Sequence, residues 1–240
     1  MANILKEVLP SIIHECQKGF LKGRFRGENI RLLYDTLLFT EKENIPGMLL
    51  TIDFEKAFDS VSWSFLFKCL RYFNFGPDII KWIETFYCDI TTCISVNGQY
   101  SSRFPIQRGV RQGDPVSPYL YLVCAEILSL MNRRNIKIKG IKIKNKEQLL
   151  SQFADDTTLY LNGPEKSFIE AINMFSKFSH IFGLKINFDK TQIIWIGSQK
   201  NCGIKYMRDK NFVWDPGTFT VLGITFSTNT DMIVKINLKN

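Results

Sequence analysis

The chain has 240 residues, of which 45% are hydrophobic and 22% are charged, a balance typical of globular proteins that excludes a disordered or fibrous chain. Thirty-one lysines and arginines outweigh 23 aspartates and glutamates, so the net charge is +8. Because opposite charges attract over long distances, this excess favours a polyanionic partner, with nucleic acid ahead of a membrane surface.

The cysteines and the apolar segments restrict the compartment in which the chain works. Its six cysteines form no CxxC pair and it has only two histidines, which argues against a zinc site and for free thiols in a reducing compartment. The longest apolar stretch, around residues 119–125, is far shorter than the roughly 20 residues that span a membrane. We therefore expect an intracellular protein of the nucleus or cytoplasm, neither secreted nor membrane-embedded.

Hydrophobic spacing predicts the elements of the first half of the chain. The apolar run MLLTIDF (residues 48–54) predicts a buried strand that delivers Asp53 at its C-terminal end. Asn97-Gly98 between two β-rich runs predicts a hairpin of residues 92–96 and 100–104. Apolar residues at helical spacing predict helices over residues 30–38, 65–73 and 79–90.

The second half alternates helices and short strands. Apolar residues predict one helix over residues 119–131 and a second over 168–182, which stops at Gly183. We find no repeat or linker, so the sequence predicts one α+β unit, an antiparallel sheet with helices on one face. Strands are predicted at residues 140–143, 149–153, 157–161, 192–196, 212–214 and 219–226.

Three acidic residues end or interrupt these apolar strands: Asp53, Asp155 and Asp156. A buried carboxylate is costly unless it is paired or binds a metal. If the sheet places the two strands side by side, the carboxylates repel each other, and Mg²⁺ is the cation that suits such oxygen ligands. The alternative is that Asp53 caps the next helix and Asp155-Asp156 form a hairpin turn.

Four ordered segments resemble motifs A to D of reverse transcriptases. They are DFEKAFDSV (53–61), RGVRQGDPVSPYL (108–120), FADD (153–156) and GLKINFDKT (183–191). A QxGFxxGRxxxxNI element at residues 17–30 and an LGI at 222–224 are similar to those of non-LTR (LINE-type) retrotransposon polymerases. The resemblance covers about residues 15 to 225.

The resemblance implies an RNA-directed DNA polymerase that joins dNTPs to the 3′-hydroxyl of a DNA primer on an RNA template. The fold would be the palm of a polymerase right hand over residues 46–240, preceded by a partial fingers segment over residues 1–45. Two Mg²⁺ ions, or Mn²⁺, would bind the carboxylates of Asp53, Asp155 and Asp156 and the backbone carbonyl of Phe54.

The same resemblance assigns four further residues to the nucleotide site. Phe58 would be the steric gate that meets a ribose 2′-hydroxyl, Gln112 and Gly113 would line the nucleotide pocket, and Lys190 would protonate the leaving pyrophosphate. Each has a structural alternative: a core ring, a Gly-Pro turn and a solvated lysine. Asp114 stands where many relatives carry cysteine.

Basic residues outside these motifs have two interpretations. Lys137, Lys139, Lys142 and Lys144 alternate with isoleucines, which puts them on one face of a strand or hairpin. That face either binds phosphates or protects a sheet edge from aggregation, and we favour the second. Three arginines have a similar pair of interpretations, a contact with the template or a solvated helix face: Arg24, Arg26 and Arg31.

The family pattern also contains parts that this sequence does not show. A fingers element with an Arg-Pro-Ile-Ser motif, most of the thumb and an endonuclease are missing, so we expect a fragment or a truncated copy. One alternative is a group II intron maturase or a telomerase-like polymerase. The other is a decayed or co-opted copy that binds RNA without polymerising; the intact carboxylates argue against decay, and the missing arginine argues for it.

Overall fold

The structure is a computed structural model that describes residues 1–163 and 165–238, so three residues of the predicted core 46–240 lie outside it. Its helices are, in chain order, α1 (Ala2–Ile12), α2 (Arg26–Lys42), α3 (Trp63–Tyr72), α4 (Pro77–Phe86), α5 (Ser117–Arg134), α6 (Glu165–Phe182) and α7 (Thr230–Asn237). A short 3-10 helix spans Phe58–Ser60.

The strands are short, and most lie in hairpins. They are β1 (Pro46–Ile52), β2 (Phe54–Glu55), β3 (Thr91–Thr92), β4 (Ser95–Val96), β5 (Gln99–Tyr100), β6 (Phe104–Pro105), β7 (Ile141–Ile143), β8 (Lys146–Gln148), β9 (Leu150–Phe153), β10 (Asp156–Leu161), β11 (Lys185–Ile186), β12 (Gln192–Gly197), β13 (Val213–Trp214), β14 (Thr218–Val221) and β15 (Ile224–Ser227).

A five-stranded sheet in the order β13-β12-β1-β10-β9 forms the centre of the molecule. Strand β1 pairs antiparallel with both β12 and β10, and only the short β13 runs parallel to its neighbour. The register joins Ile52 to Thr157, so the C-terminal end of β1 lies beside the start of β10. The predicted α+β organisation on an antiparallel sheet is therefore found.

Helices cover both faces of this sheet, whereas the sequence predicted helices on one face. Met48 and Leu50 face a large core built with α1, α3, α5 and α6, while Leu49 faces a smaller core built with α2 and α7. All three side chains are fully buried. Consecutive apolar residues in a strand point to opposite faces, so the run MLL requires cover on both.

Helix α5 lies in the middle of the larger core. Residues 120–125 (LYLVCA) are all buried, so every side of this part of the helix is covered, as in a helix that is hydrophobic all round. It packs against α1, α3 and α6. None of the helices in residues 1–163 and 165–238 has the length and apolar character that crossing a bilayer requires.

Two turns explain short sequence motifs. The predicted hairpin at Asn97-Gly98 is confirmed, and both residues have positive φ, +51° and +80°, as a type I′ turn requires. The predicted strand over residues 219–226 is instead a hairpin of β14 and β15, because Leu222 and Gly223 also take positive φ. The LGI motif is therefore a turn.

Gly183 ends α6 with a φ of +92°, and a Cβ added there would lie 2.5 Å from the carbonyl oxygen of Ser60. Gly203 has a φ of +69° with open space around it. We expect Gly203→Ala to lose about 1 kcal/mol from the unfavourable φ, and Gly183→Ala to lose at least about 2 kcal/mol because the clash adds to it. Urea unfolding of both variants measures the difference; equal losses would contradict this packing.

Candidate active site

The sheet register brings the predicted carboxylates to one end of the central sheet. Asp53 follows β1 directly, Asp155 lies in the turn between β9 and β10, and Asp156 begins β10. Because Ile52 pairs with Thr157, continuing the register by one residue puts Asp53 opposite Asp156. The two strands are far apart in sequence, so only the folded sheet joins these side chains.

The electrostatics of this end of the sheet agree with three carboxylates that interact. Desolvation, and then the charge of Asp53, raise the pKa of Asp155 above its ordinary value. Desolvation, and then the charges of Asp155 and Asp53, raise the pKa of Asp156 to about 6. No cationic side chain is among the causes of either shift.

The donor set fits a hard divalent cation, since carboxylate oxygens are the ligands that Mg²⁺ and Mn²⁺ take. In the part of the chain that the structure describes, no group of three His, Cys, Asp or Glu side chains is placed so that it could hold a metal ion. Asp53, Asp155 and Asp156 would hold the ion. The backbone oxygen predicted as a further ligand belongs to Phe54, whose ring is buried against Phe175 at a centroid distance of 6.1 Å.

Two hydrogen bonds link the backbone of Asp53 to the segment that resembles motif D. The backbone N–H of Asn187 donates to the carbonyl oxygen of Asp53 over 2.9 Å, and the N–H of Asp53 points to the hydroxyl of Thr191 at 3.4 Å. The Thr191 hydroxyl itself donates to the carbonyl of Asn187. The sequence analysis did not single out Asn187 or Thr191, although both lie in GLKINFDKT.

The ring of Phe58 contacts two other aromatic rings. It is the first residue of the 3-10 helix after β2, and its ring stacks on Tyr121 of α5 at 4.3 Å with an interplanar angle of 13°. The edge of Phe20 meets it at 6.4 Å. Tyr121 is buried, and its burial and then the charge of Asp155 raise the pKa of its hydroxyl.

Tyr121 was not among the predicted site residues, although it stacks on the predicted steric gate Phe58. It follows directly after the segment RGVRQGDPVSPYL, in an apolar helix where the sequence does not distinguish one buried ring from another.

The remaining predicted nucleotide-site residues lie in exposed loops. Gln112 and Gly113 precede α5; the Gln112 amide lies 3.4 Å from the carboxylate of Asp59, and Gly113 has a φ of +86°. Lys190 is exposed in the turn before β12, and among the described residues it has no ion pair. The folded chain thus brings the three carboxylates together and leaves Lys190 without a contact to them.

The structure corrects the interpretation of Arg24 as a nucleic-acid contact. Its guanidinium donates hydrogen bonds of 2.6 to 3.0 Å to four backbone carbonyls at the end of α1 and just beyond it. These acceptors belong to Pro10, Ile13, His14 and Gln17. A guanidinium with this many internal bonds has few donors left for a phosphate, so Arg24 holds the fold.

The other basic residues are exposed, but they do not form one face of a strand. Ile136, expected to alternate inward with Ile138, is 81% exposed, because regular pairing begins only at β7. Gly140 bridges Leu161, the far end of β10 from Asp156, so this segment lies away from the carboxylates. Arg26, Lys137, Lys139, Lys142 and Lys144 are all exposed.

Comparisons with known proteins identify the family and the fold of the chain. Residues 1–226 match the family model described as "Reverse transcriptase (RNA-dependent DNA polymerase)". The chain is 32% identical over 155 residues to the "Transposon TX1 uncharacterized 149 kDa protein" of Xenopus laevis, covering 65% of this chain and 12% of that protein. It is 28% identical over 183 residues to the Pol polyprotein from type-2 retrotransposable element R2DM of Drosophila melanogaster, covering 76% of this chain and 17% of that protein.

Solved structures show the same fold at low identity. A telomerase of Candida Tropicalis in complex with a fragment of telomeric RNA superposes with a TM-score of 0.66 and 14% identity, over 95% of this chain and 36% of that one. The apo enzyme truncated from its C-terminal domain gives a TM-score of 0.63 over 43% of its length. The expected polymerase right-hand fold is therefore confirmed, and because the family model spans nearly the whole sequence, the chain belongs to the reverse transcriptase family.

Proposed function

We propose that this chain is the core of a retrotransposon RNA-directed DNA polymerase that adds dNTPs to a primer 3′-hydroxyl on an RNA template. The observation that supports the proposal is the pairing of β1 with β10, together with the raised pKa of Asp156, to which the charges of Asp155 and Asp53 contribute. A further relative, 28% identical over 158 residues, bears the name "RNA-directed DNA polymerase from mobile element jockey". The net charge of +8 suits nucleic-acid partners.

Two divalent cations, Mg²⁺ or Mn²⁺, would supply charge neutralisation on the triphosphate and activation of the primer hydroxyl when bound. Asp53, Asp155 and Asp156 supply the anionic oxygens, and the Phe54 carbonyl supplies a neutral one. The raised pKa values of Asp155 and Asp156 have a direct consequence: without a cation these two carboxyls gain protons more readily, so metal binding releases protons and strengthens with pH.

The groups around the carboxylates would select and hold the nucleotide. Phe58, clamped between Tyr121 and Phe20, presents a rigid ring suited to exclude a 2′-hydroxyl. Gln112 and Gly113 lie in the loop that leads into α5, where a residue without a side chain lets a ligand approach the backbone closely. Lys190, on a flexible exposed stem, would act as the general acid toward the leaving pyrophosphate.

Primer extension on poly(rA)/oligo(dT) with Mg²⁺ is the direct test of the activity. The chain covers 12% and 17% of the two curated relatives described above, so the assay is run on this chain and on the longest protein that its gene encodes. Extension that needs the RNA template supports the proposal. RNA binding by both proteins, with no extension by either, would favour a copy that binds RNA without polymerising.

If the carboxylates bind a metal ion, Mg²⁺ or Mn²⁺ should stabilise the folded chain against unfolding. Mg²⁺ or Mn²⁺ at about 100 times its dissociation constant stabilises the native state by about 2.7 kcal/mol and raises Tm accordingly. Asp155→Asn should abolish most of this rise, whereas the control Asp209→Asn, at a side chain that is 70% exposed, should keep it. Thermal unfolding with and without metal measures both; identical responses of the wild type and Asp155→Asn would remove Asp155 from the site.

The raised pKa of Asp156 predicts a pH dependence in the absence of metal. A carboxyl whose pKa is about 6 in the folded state and 3.8 as its ordinary value stabilises the fold below pH 4, and this contribution is lost as the pH rises through 6. In EDTA, Asp156→Asn should therefore gain stability relative to the wild type between pH 4.5 and 7.5. Urea unfolding across this range tests it, and a constant difference would show that Asp156 is not desolvated.

Phe58 predicts a change in sugar selection. In an active preparation, Phe58→Ala should raise ribonucleotide over deoxynucleotide incorporation by at least about tenfold, which corresponds to about 1.4 kcal/mol of lost discrimination. Phe219→Ala is the control, since its buried ring lies in the smaller core and should cost stability alone. An incorporation ratio that stays at the wild-type value in Phe58→Ala would assign Phe58 to the core.

A further inference from the structure

The QxGFxxGRxxxxNI element, residues 17–30, packs against the turn that carries two of the carboxylates. Gln17 forms a parallel bridge with Gln152 of β9. The N–H of Lys18 donates to the carbonyl of Gln152, and the N–H of Gln152 donates to the carbonyl of Cys16, both over 2.8 Å. A segment from the start of the chain thus pairs alongside β9, close to the turn before β10.

The side chain of Gln17 continues this contact into the turn. It is 1% exposed, and its Oε1 accepts hydrogen bonds from the N–H groups of Ala154, at 2.7 Å, and Gly19, at 2.8 Å. Its Nε2 donates to the carbonyl oxygen of Ala154 over 3.0 Å. One buried amide therefore satisfies both backbone polar groups of the residue directly before Asp155.

Ala154 needs such support because its backbone is in the left-handed region, with a φ of +56°. This conformation is unfavourable for a residue with a Cβ, and it persists where surrounding contacts enforce it. The direction in which the chain leaves Ala154 sets where the carboxylates of Asp155 and Asp156 point. The contacts of Gln17 therefore bear on the geometry of the carboxylates.

Two neighbours fix the position of Gln17 itself. Gly19 packs so tightly on the turn that an added Cβ would overlap the backbone nitrogen of Ala154. Arg24 donates to the carbonyl of Gln17 over 2.8 Å and to three carbonyls at the end of α1. In this element Gln17 bonds the backbone of Ala154, Gly19 leaves room for the close approach of the turn, and Arg24 bonds the carbonyls around Gln17 and the end of α1.

We propose that Gln17 is a positioning residue for the carboxylate site: its amide holds Ala154 at positive φ, so that Asp155 and Asp156 converge with Asp53 on a divalent cation. The proposal rests on the proposed metal site. It assigns Gln17 no contact with substrate or metal, and it predicts that loss of the amide weakens metal binding more than it weakens the fold.

The test compares two apolar replacements of buried amides that bond neighbouring backbone groups. Gln17→Met keeps the length of the side chain but makes none of the three hydrogen bonds. Asn29→Leu is the matched control: Asn29 is buried and donates to the carbonyl of Gln152 over 2.8 Å, on the same strand but not on the turn. Mn²⁺ binding to the purified, EDTA-treated chain is measured by calorimetry, beside Tm without metal.

Both variants should lower Tm, because each leaves a buried backbone group with fewer partners. Gln17→Met should weaken Mn²⁺ affinity by at least about tenfold, and Asn29→Leu by less than about twofold. Unchanged Mn²⁺ affinity in Gln17→Met, or an equal loss in Asn29→Leu, would overturn the role of Gln17. A wild-type chain that binds no Mn²⁺ would instead refute the proposed metal site, so the two failures are distinguishable.

A second variant separates backbone positioning from general loosening. Glycine adopts positive φ readily, so Ala154→Gly added to Gln17→Met should recover part of the lost Mn²⁺ affinity. The reference for this double variant is Ala154→Gly alone, which keeps the comparison valid if Gln17→Met by itself is too unstable to purify. If the double variant binds Mn²⁺ no better than Gln17→Met, or if Ala154→Gly alone is impaired to the same degree, Gln17 does not act through the φ of Ala154.

Discussion

Repulsion among three carboxylates at one end of the central sheet is the constraint around which the rest of the molecule is built. The pairing of β1 with β10 brings Asp53 toward Asp155 and Asp156, and the desolvation of Asp155 and Asp156 and the repulsion from Asp53 oppose that arrangement. The sheet withstands this cost because both of its faces are packed: Met48, Leu49 and Leu50 are fully buried in two cores. A strand held from two sides cannot slip its register to separate the charges, since a shift by one residue would exchange the two faces.

The carboxylates are also held from outside the strands that carry them. Residues 187 and 191 bond the backbone of Asp53, and Gln17 bonds both backbone groups of Ala154. Four distant parts of the chain therefore meet at one site. Each of these hydrogen bonds is made by a segment that is far in sequence from the residue that it bonds. The same principle applies to Phe58, whose ring is rigid only because Tyr121 comes from α5 and Phe20 from the element before α2.

Charge is distributed in a way that the net value of +8 does not reveal. The carboxylate end of the sheet carries negative charge without a cation among the groups that shift its pKa values. The lysines of residues 137–144 lie near the opposite end of β10, where Gly140 bridges Leu161, and in β7 and β8 Lys142 pairs across the strands with Glu147. This position supports the interpretation that these lysines protect a short exposed hairpin from aggregation. The guanidinium of Arg24 donates its hydrogen bonds to backbone carbonyls of the fold.

The sequence by itself determined the elements whose signals are local: the strand before Asp53, the Asn97-Gly98 turn, the end of α6 at Gly183 and the motifs that identify the family. It also indicated that the three aspartates belong together, through their resemblance to known motifs. Only the tertiary structure decided that helices cover both faces of the sheet, that Arg24 bonds the carbonyls at the end of α1, that Tyr121 stacks on Phe58, and that Gln17 bonds the backbone of Ala154. The physical reason is that hydrophobic periodicity and turn residues act over a few positions, whereas the partner of a buried amide or a stacked ring is chosen by which distant segments the packed core brings into contact.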